Sequence, residues 1–90
     1  MPDLAERRRR ARFRAWRRGF READLVLGGF ADAHLDSMTE TELSAFETLL
    51  DQGDHDLWGW ICGTRTPDEA LAGDLLARLR AFRPLPGAPG

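Results

Sequence analysis

With 90 residues, the chain has room for one small domain, because a chain of this length buries only about 60 to 65% of the surface that its unfolded state exposes. That leaves little space for a deep catalytic cleft beside a core. The single cysteine, Cys62, excludes an internal disulfide and argues against a zinc site. No apolar run approaches the roughly 20 residues needed to cross a bilayer, so we expect a soluble intracellular protein.

The net charge of -2 conceals a separation of charge along the chain. Every basic residue is an arginine, and nine of them lie in residues 1 to 21 beside only two acids. Residues 22 to 74 hold thirteen acids against one arginine. Such a separation predicts a dipolar molecule with a basic end and an acidic body, which steers its encounters with partners.

The first half of the chain predicts two helices separated by Gly19. Residues 3 to 18 are good helix formers that Asp3 can cap, but their few large apolar residues make a poor core face. Residues 20 to 35 carry a better apolar pattern, with Gly28 and Gly29 as a point where the helix could break.

Clearer signals bound the next two helices. Thr39 and Glu42 form the sequence pattern of a capping box, and a single apolar stripe follows it. The stripe consists of Leu43, Phe46, Leu49 and Leu50. Gly53 ends this helix, and Asp54 is predicted to cap a short helix that Gly63 closes.

The run from Thr66 to Glu69 predicts the start of a last helix, with a cap, a proline in the first turn and acids that complement the helix dipole. Leu71, Leu75, Leu79 and Phe82 line one face of that helix, with Leu76 beside it. We therefore predict an all-α fold, a single small bundle of about five short helices. The predicted domain covers residues 1–83, with its basic N-terminal segment, and residues 84–90 are predicted to be a disordered tail.

The arginine-rich segment suggests one function. Its arginines, interleaved with Phe13 and Trp16, could clamp phosphates and stack on bases, which makes a small nucleic-acid-binding protein the alternative hypothesis. Against it, the acidic body would repel a long polyanion. The other interpretation is a solvated helix with too little apolar surface to pack.

The stretch from Arg18 to Glu22 suggests another function. If the chain is helical here, these two residues stand at i and i+4 on one face, with Gly19 allowing a partner's backbone to approach closely. The arginine guanidinium can bind a carboxylate of a partner with two hydrogen bonds, and the glutamate can accept hydrogen bonds from donors on the same partner. The alternative is an ordinary surface ion pair beside a glycine hinge, worth at most about 0.5 kcal/mol.

The fourth predicted helix contains two tryptophans that are expected to differ in burial. Trp58 and Trp60 are two residues apart, so they cannot both face the core fully; we expect Trp60 to be buried, and Trp58 either contacts a partner or helps to cover the small core. Cys62 lies among apolar neighbours and is predicted to be a small core residue. The sequence contains no catalytic triad, phosphate-binding glycine loop or metal-ligand spacing, so it offers no argument for an enzyme.

The run from Trp16 to Asp24 resembles the RGxxE signature of the SdhE family of FAD assembly factors, called succinate dehydrogenase assembly factor 2 in mitochondria. The similarity continues through Phe30, the capped third helix and the Asp-Leu-x-x-Trp element at residues 56–60, and it covers roughly residues 12 to 82. The chain departs from some relatives at Gly28-Gly29 and in its heavy N-terminal arginine content.

The resemblance implies a bundle that binds the flavoprotein subunit of succinate dehydrogenase, or of fumarate reductase in some bacteria, and promotes covalent attachment of FAD to a histidine there. The flavoprotein supplies the chemistry, so this chain is expected to be no enzyme and to hold neither cofactor nor metal. By motif match Arg18, Gly19 and Glu22 bind the partner, with Arg17 and Asp24 as further candidates. We expect a monomer in bacterial cytoplasm, with the mitochondrial matrix as the second choice, no membrane insertion and no nucleic acid.

Overall fold

The computed structural model describes residues 3–67 and 73–82 and confirms the all-α bundle. Within these ranges the chain forms five α-helices and one short 3-10 turn, and it contains no strand. The helices are α1 (Leu4–Ala15), α2 (Arg21–His34), α3 (Glu40–Leu50), α4 (Asp54–Cys62) and α5 (Asp74–Ala81), and the 3-10 turn spans Leu35–Ser37. The predicted tail at residues 84–90 lies outside the described ranges.

Small residues and ion pairs attach α1 to the bundle. Asp3 caps the helix as predicted, its carboxylate accepting a hydrogen bond from the backbone N–H of Glu6 at 2.8 Å. The buried residues of α1 are Ala11 and Ala15, which let the helix approach its neighbours closely, whereas Phe13 is 61% exposed. Arginines on the flanks of α1 then pair with acids of the body. These ion pairs are Arg7–Glu47, Arg12–Asp32, Arg12–Asp36 and Arg14–Asp51.

Helix α2 runs unbroken through Gly28 and Gly29, the weak point at which the sequence indicated that it could break. The glycines instead make room for other side chains. The indole of Trp16 lies against Gly28 so closely that a Cβ at this position would overlap it, and the ring of Phe82 faces Gly29. The continuity of the helix follows from these contacts, which offset the low helix propensity of glycine.

The two adjacent glycines allow a matched test. Gly28→Ala gains about 1 kcal/mol in helix propensity but displaces the Trp16 ring, whose buried part contributes about 2 to 3 kcal/mol. We expect a net loss of about 1 to 2 kcal/mol and a fall of about 5 to 15 °C in the melting temperature. Gly29→Ala has the same gain in helix propensity, and its Cβ comes to 3.2 Å from the Phe82 ring, which needs to shift only slightly. Because the gain and the cost of that shift nearly cancel, we expect the free energy of unfolding to stay within about 0.5 kcal/mol of wild type. Thermal unfolding followed by circular dichroism measures both, and equal effects would contradict the role given to Trp16.

The capping box of α3 is confirmed. The backbone N–H of Glu42 donates to the Thr39 hydroxyl at 3.2 Å, and the backbone N–H of Thr39 donates to the Glu42 carboxylate at 2.9 Å. That second hydrogen bond is the main reason why the pKa of Glu42 is lowered. The predicted apolar stripe of α3 is buried throughout, at the centre of the core.

Helix α4 confirms two predictions and contradicts two. Gly63 ends the helix in the left-handed conformation, with φ of 83°, and Trp60 is buried. Cys62 is exposed, however, because neighbours on a helix point about 100° apart and its neighbour Ile61 packs against the core instead. The cap of α4 is also not Asp54, since Gly53 occupies that position and the Asp54 side chain binds elsewhere.

Helix α5 closes the core. Within the described residues it begins at Asp74 after Gly73; part of the start predicted at residues 66–69, and Leu71 of its predicted apolar face, lie outside them. Leu76 and Leu79 are fully buried, and Leu75 and Phe82 pack against the core edge, so the predicted face is rotated toward Leu76.

Candidate functional site: the turn between the first two helices

The turn between α1 and α2, residues 16–20, is not helical and contains Arg18 and Gly19 of the RGxxE motif, whereas Glu22 lies in the first turn of α2. Helix α1 ends at Ala15 and α2 begins at Arg21, with Phe20 in an extended conformation as its N-cap. Gly19 has φ of +115°, which side chains other than glycine rarely adopt. The condition under which Arg18 and Glu22 would share one helical face is therefore not met, and the two residues have different surroundings.

The Arg18 side chain points into the molecule and is only 9% exposed. Its two terminal nitrogens donate to the backbone carbonyls of Leu50 at 2.6 Å and Gln52 at 2.7 Å. Its Nε forms an ion pair with the carboxylate of Asp54 at 2.9 Å. The guanidinium therefore joins the C-terminal end of α3 to the first turn of α4.

The position of this cation suits the helix dipoles. The last turn of α3 contains no basic residue of its own, and the carbonyls at a helix C-terminus carry partial negative charge. Arg18 supplies the missing positive charge from another part of the chain. Asp54, in the first turn of α4, meets the partial positive charge of that helix and the guanidinium together.

Asp24 fixes the turn from the other side. Its carboxylate accepts a hydrogen bond from the backbone N–H of Arg18 at 2.6 Å, and its own backbone N–H donates to the Phe20 carbonyl. The ring of Phe20 meets Trp58 edge to face, with 5.5 Å between the ring centroids. Because Trp58 is half-buried in this contact, the turn is attached to α2 and α4 at once.

Gly19 and Glu22 lie on the outside of this fixed turn. Both are exposed, and within residues 3–67 and 73–82 the Glu22 carboxylate has no ion pair or hydrogen bond. A Cβ added at Gly19 would lie 3.0 Å from Oδ2 of Asp54, the acid that Arg18 binds. Glu22 is thus free to accept hydrogen bonds from a partner, beside the exposed backbone of Gly19.

Arg17 also points outward at this end of the molecule. It is exposed, and its guanidinium lies 4.2 Å from the centroid of the Phe13 ring. Of the five residues that the motif singles out, the turn thus presents Arg17, Gly19 and Glu22 to solvent. It keeps Arg18 and Asp24 for internal contacts.

The arginine run that suggested nucleic acid is largely neutralised within the molecule. Besides the pairs between α1 and the body, Arg9 and Arg10 both pair with Glu6 on their own helix. The hydrogen bond and charge of Glu47 raise the pKa of Arg7. Since these cations already face carboxylates, the segment offers a polyanion much less than its composition indicated.

No group of three metal-binding side chains occurs in the part of the chain that the structure describes. Likewise, none of the helices in these ranges is long and apolar enough to span a bilayer.

A model of the family described as the flavinator of succinate dehydrogenase, Sdh5, matches residues 9–83. The chain belongs to this family. The match includes the whole turn between α1 and α2 and all the residues that Arg18 binds.

Individual relatives agree with the family. The FAD assembly factor SdhE of Acetobacter pasteurianus is 42% identical over 77 residues, which are 86% of this chain and 71% of that protein. The mitochondrial succinate dehydrogenase assembly factor 2 of Candida glabrata is 33% identical over 84 residues, 89% of this chain and 55% of the yeast protein. The SdhE of Legionella pneumophila strain Lens is 42% identical over 55 residues, 61% of this chain and 70% of that protein. The chain thus spans about half of the yeast relative's length.

The residues that sequence analysis missed are those that Arg18 binds. Asp54 was taken for a helix cap, and the carbonyls of Leu50 and Gln52 carry no sequence signature at all. One signal was present: α3 has no cation in its last turn, a position where one is favourable.

Proposed function

We propose that this member of the Sdh5 family binds the flavoprotein subunit of succinate dehydrogenase through the turn between α1 and α2 and so promotes covalent attachment of FAD there. The observation that carries the site is the exposed Glu22 carboxylate, without an ionic partner in the described residues, beside the uncovered backbone of Gly19. The names of its bacterial and mitochondrial relatives support the same function.

The chain acts on conformation and not as a catalyst of the linkage. An assembly factor accelerates flavin attachment only if it binds the attachment-competent state of the flavoprotein more tightly than its other states. It must then dissociate from the product, so its interface is transient, small and partly polar. A rigid turn with one free carboxylate fits that requirement, because preorganisation reduces the entropy lost on binding.

The motif residues divide the work. Glu22 and the Gly19 backbone contact the flavoprotein, and Arg17 adds a positive charge to the contact. Arg18 and Asp24 act from inside, by holding the turn in the conformation that presents Glu22. The chain works as a monomer in bacterial cytoplasm without holding flavin itself. The flavoprotein subunit of fumarate reductase is a second binding partner where it offers the same surface.

Glu22→Ala tests the contact directly. The residue is exposed and has no internal ion pair in the described residues, so we expect unchanged stability but about 30-fold weaker binding to the flavoprotein, the effect of losing an interface hot spot. In cells whose only copy is this variant, the denatured flavoprotein subunit should lose its in-gel flavin fluorescence.

Glu40→Ala is the matched control, since Glu40 is also an exposed glutamate in the first turn of a helix. It should leave covalent flavin at the wild-type level. Normal flavin attachment with Glu22→Ala, at equal protein levels, would remove Glu22 from the interface.

A further inference from the structure

The two arginines that flank Gly19 differ from the other arginines of the basic end. In the first 21 residues, arginines on α1 pair with acids or, for Arg8, with the carbonyl of Met38, and Arg18 is buried on Asp54. Arg17 and Arg21 are exposed, and neither meets a carboxylate within the described ranges. Within the described part of the basic end, the exposed arginines without a carboxylate partner are therefore the two at the turn.

An exposed aromatic ring lies beside this charge. Phe13 is 61% exposed and lies on the face of α1 opposite Ala11 and Ala15, which face the core. The Arg17 guanidinium stacks on its ring at 4.2 Å from the centroid. A large apolar side chain held this way contributes little to the core, but it offers a preformed cation–aromatic contact to another molecule.

We propose that Phe13, Arg17 and Arg21 form a second part of the docking surface, which we call the aromatic–arginine patch, and that it binds a carboxylate-bearing, partly apolar surface of the flavoprotein. This inference rests on the proposed function. It extends the contact from the turn back into the last turn of α1, where Phe13 lies, and it adds an apolar anchor to an otherwise polar site.

Charge pattern and continuity identify the occupant. Arg17 and Arg21 need acidic counterparts, whereas Glu22, directly beside Arg21, needs a donor. A nucleic acid presents only phosphates, so Glu22 would oppose it, while a folded protein can present both signs at fixed positions. The patch is also continuous in sequence with Gly19, so one partner surface reaches both parts.

The test measures the dissociation constant of purified chains for the purified flavoprotein subunit of succinate dehydrogenase, at low and moderate salt. We expect Phe13→Ala and Arg17→Gln each to weaken binding about tenfold, and Arg17→Gln to reduce the salt dependence as well. Arg9→Gln is the control, because Arg9 is an exposed arginine of the same helix that pairs only with Glu6, and we expect its affinity within about twofold of wild type. The melting temperatures of Phe13→Ala and Arg17→Gln should match wild type, since both side chains are exposed.

The outcomes separate this inference from the proposed function. If Phe13→Ala binds like wild type while Glu22→Ala binds weakly, the patch is overturned and the docking turn stands. If the wild-type chain itself does not bind the flavoprotein, both proposals fall. Two other results would show that the patch does not bind the flavoprotein. In the first, Phe13→Ala and Arg17→Gln lose affinity for a mixed-sequence single-stranded oligonucleotide while their flavoprotein binding is unchanged. In the second, they convert a dimer of the chain to monomers, again with unchanged flavoprotein binding.

Discussion

Replacing Arg18 by alanine is expected to destabilise the protein by about 3 kcal/mol and to lower its melting temperature by about 10 to 20 °C. The variant leaves two backbone carbonyls and the Asp54 carboxylate without the cation that they share in a buried site. The joint between α3 and α4 loosens, and the turn that presents Glu22 loses its anchor. Flavin attachment should therefore fall even at temperatures where the variant is folded.

Arg17→Ala is the control for the stability effect, because it removes the adjacent, exposed arginine and should change the free energy of unfolding by less than about 0.5 kcal/mol. Arg18→Lys should recover part of the loss, since an ammonium keeps the charge but not the planar fork that meets three acceptors. Chemical denaturation of the three variants gives the free energies. An Arg18→Ala protein that unfolds like wild type yet no longer binds the flavoprotein would show that Arg18 contacts the partner itself.

Local signals in the sequence predicted the helix ends well. The capping box at Thr39, the cap at Asp3 and the glycine stop at Gly63 each depend on residues within a few positions of one another, so spacing alone reveals them. The apolar stripe of α3 is equally local, and all of its residues are buried. These elements were sufficient to predict an all-α bundle.

The candidate site depended on contacts that spacing does not reveal. Arg18 binds carbonyls 32 and 34 residues further along the chain, and backbone carbonyls carry no sequence signature. The spacing of Arg18 and Glu22 fits a helix as well as a turn. Gly19 permits the turn without requiring it, and the choice is made by the anchored guanidinium and by Asp24.

Two further differences between the structure and the expectations from the sequence, in α2 and α1, have steric causes. Gly28 and Gly29 were expected to weaken α2, but rings from elsewhere in the chain fill the space that their missing side chains leave. In α1 the few large apolar residues were expected to make a poor core face, and the buried residues are alanines instead, because a helix that approaches its neighbours closely has room only for small side chains. Phe13 is left outside for that reason.

Gly19→Ala carries the second large effect. An alanine at φ of +115° is strained by about 1 to 3 kcal/mol, and its Cβ would press on Oδ2 of Asp54 from 3.0 Å. Asp54 cannot yield freely, because its other oxygen holds Arg18. We expect a loss of about 2 to 4 kcal/mol in the free energy of unfolding, together with loss of flavin attachment. Gly19→Arg should show the same loss and also place a bulky cation where the partner's backbone approaches.

Gly63→Ala separates strain from contact. Gly63 also has a positive φ, of 83°, but a Cβ there meets no atom within 4 Å among the described residues, so only the cost of strain, about 1 kcal/mol, is expected. Flavin attachment should survive in this variant. In an Asp54→Ala background the cost of Gly19→Ala should fall toward that of Gly63→Ala, because the carboxylate that it presses on is gone. Additive costs of Gly19→Ala and Asp54→Ala in the double variant would contradict the coupling between the turn and the joint of α3 and α4. Such additivity would leave backbone strain as the only reason for glycine at this position.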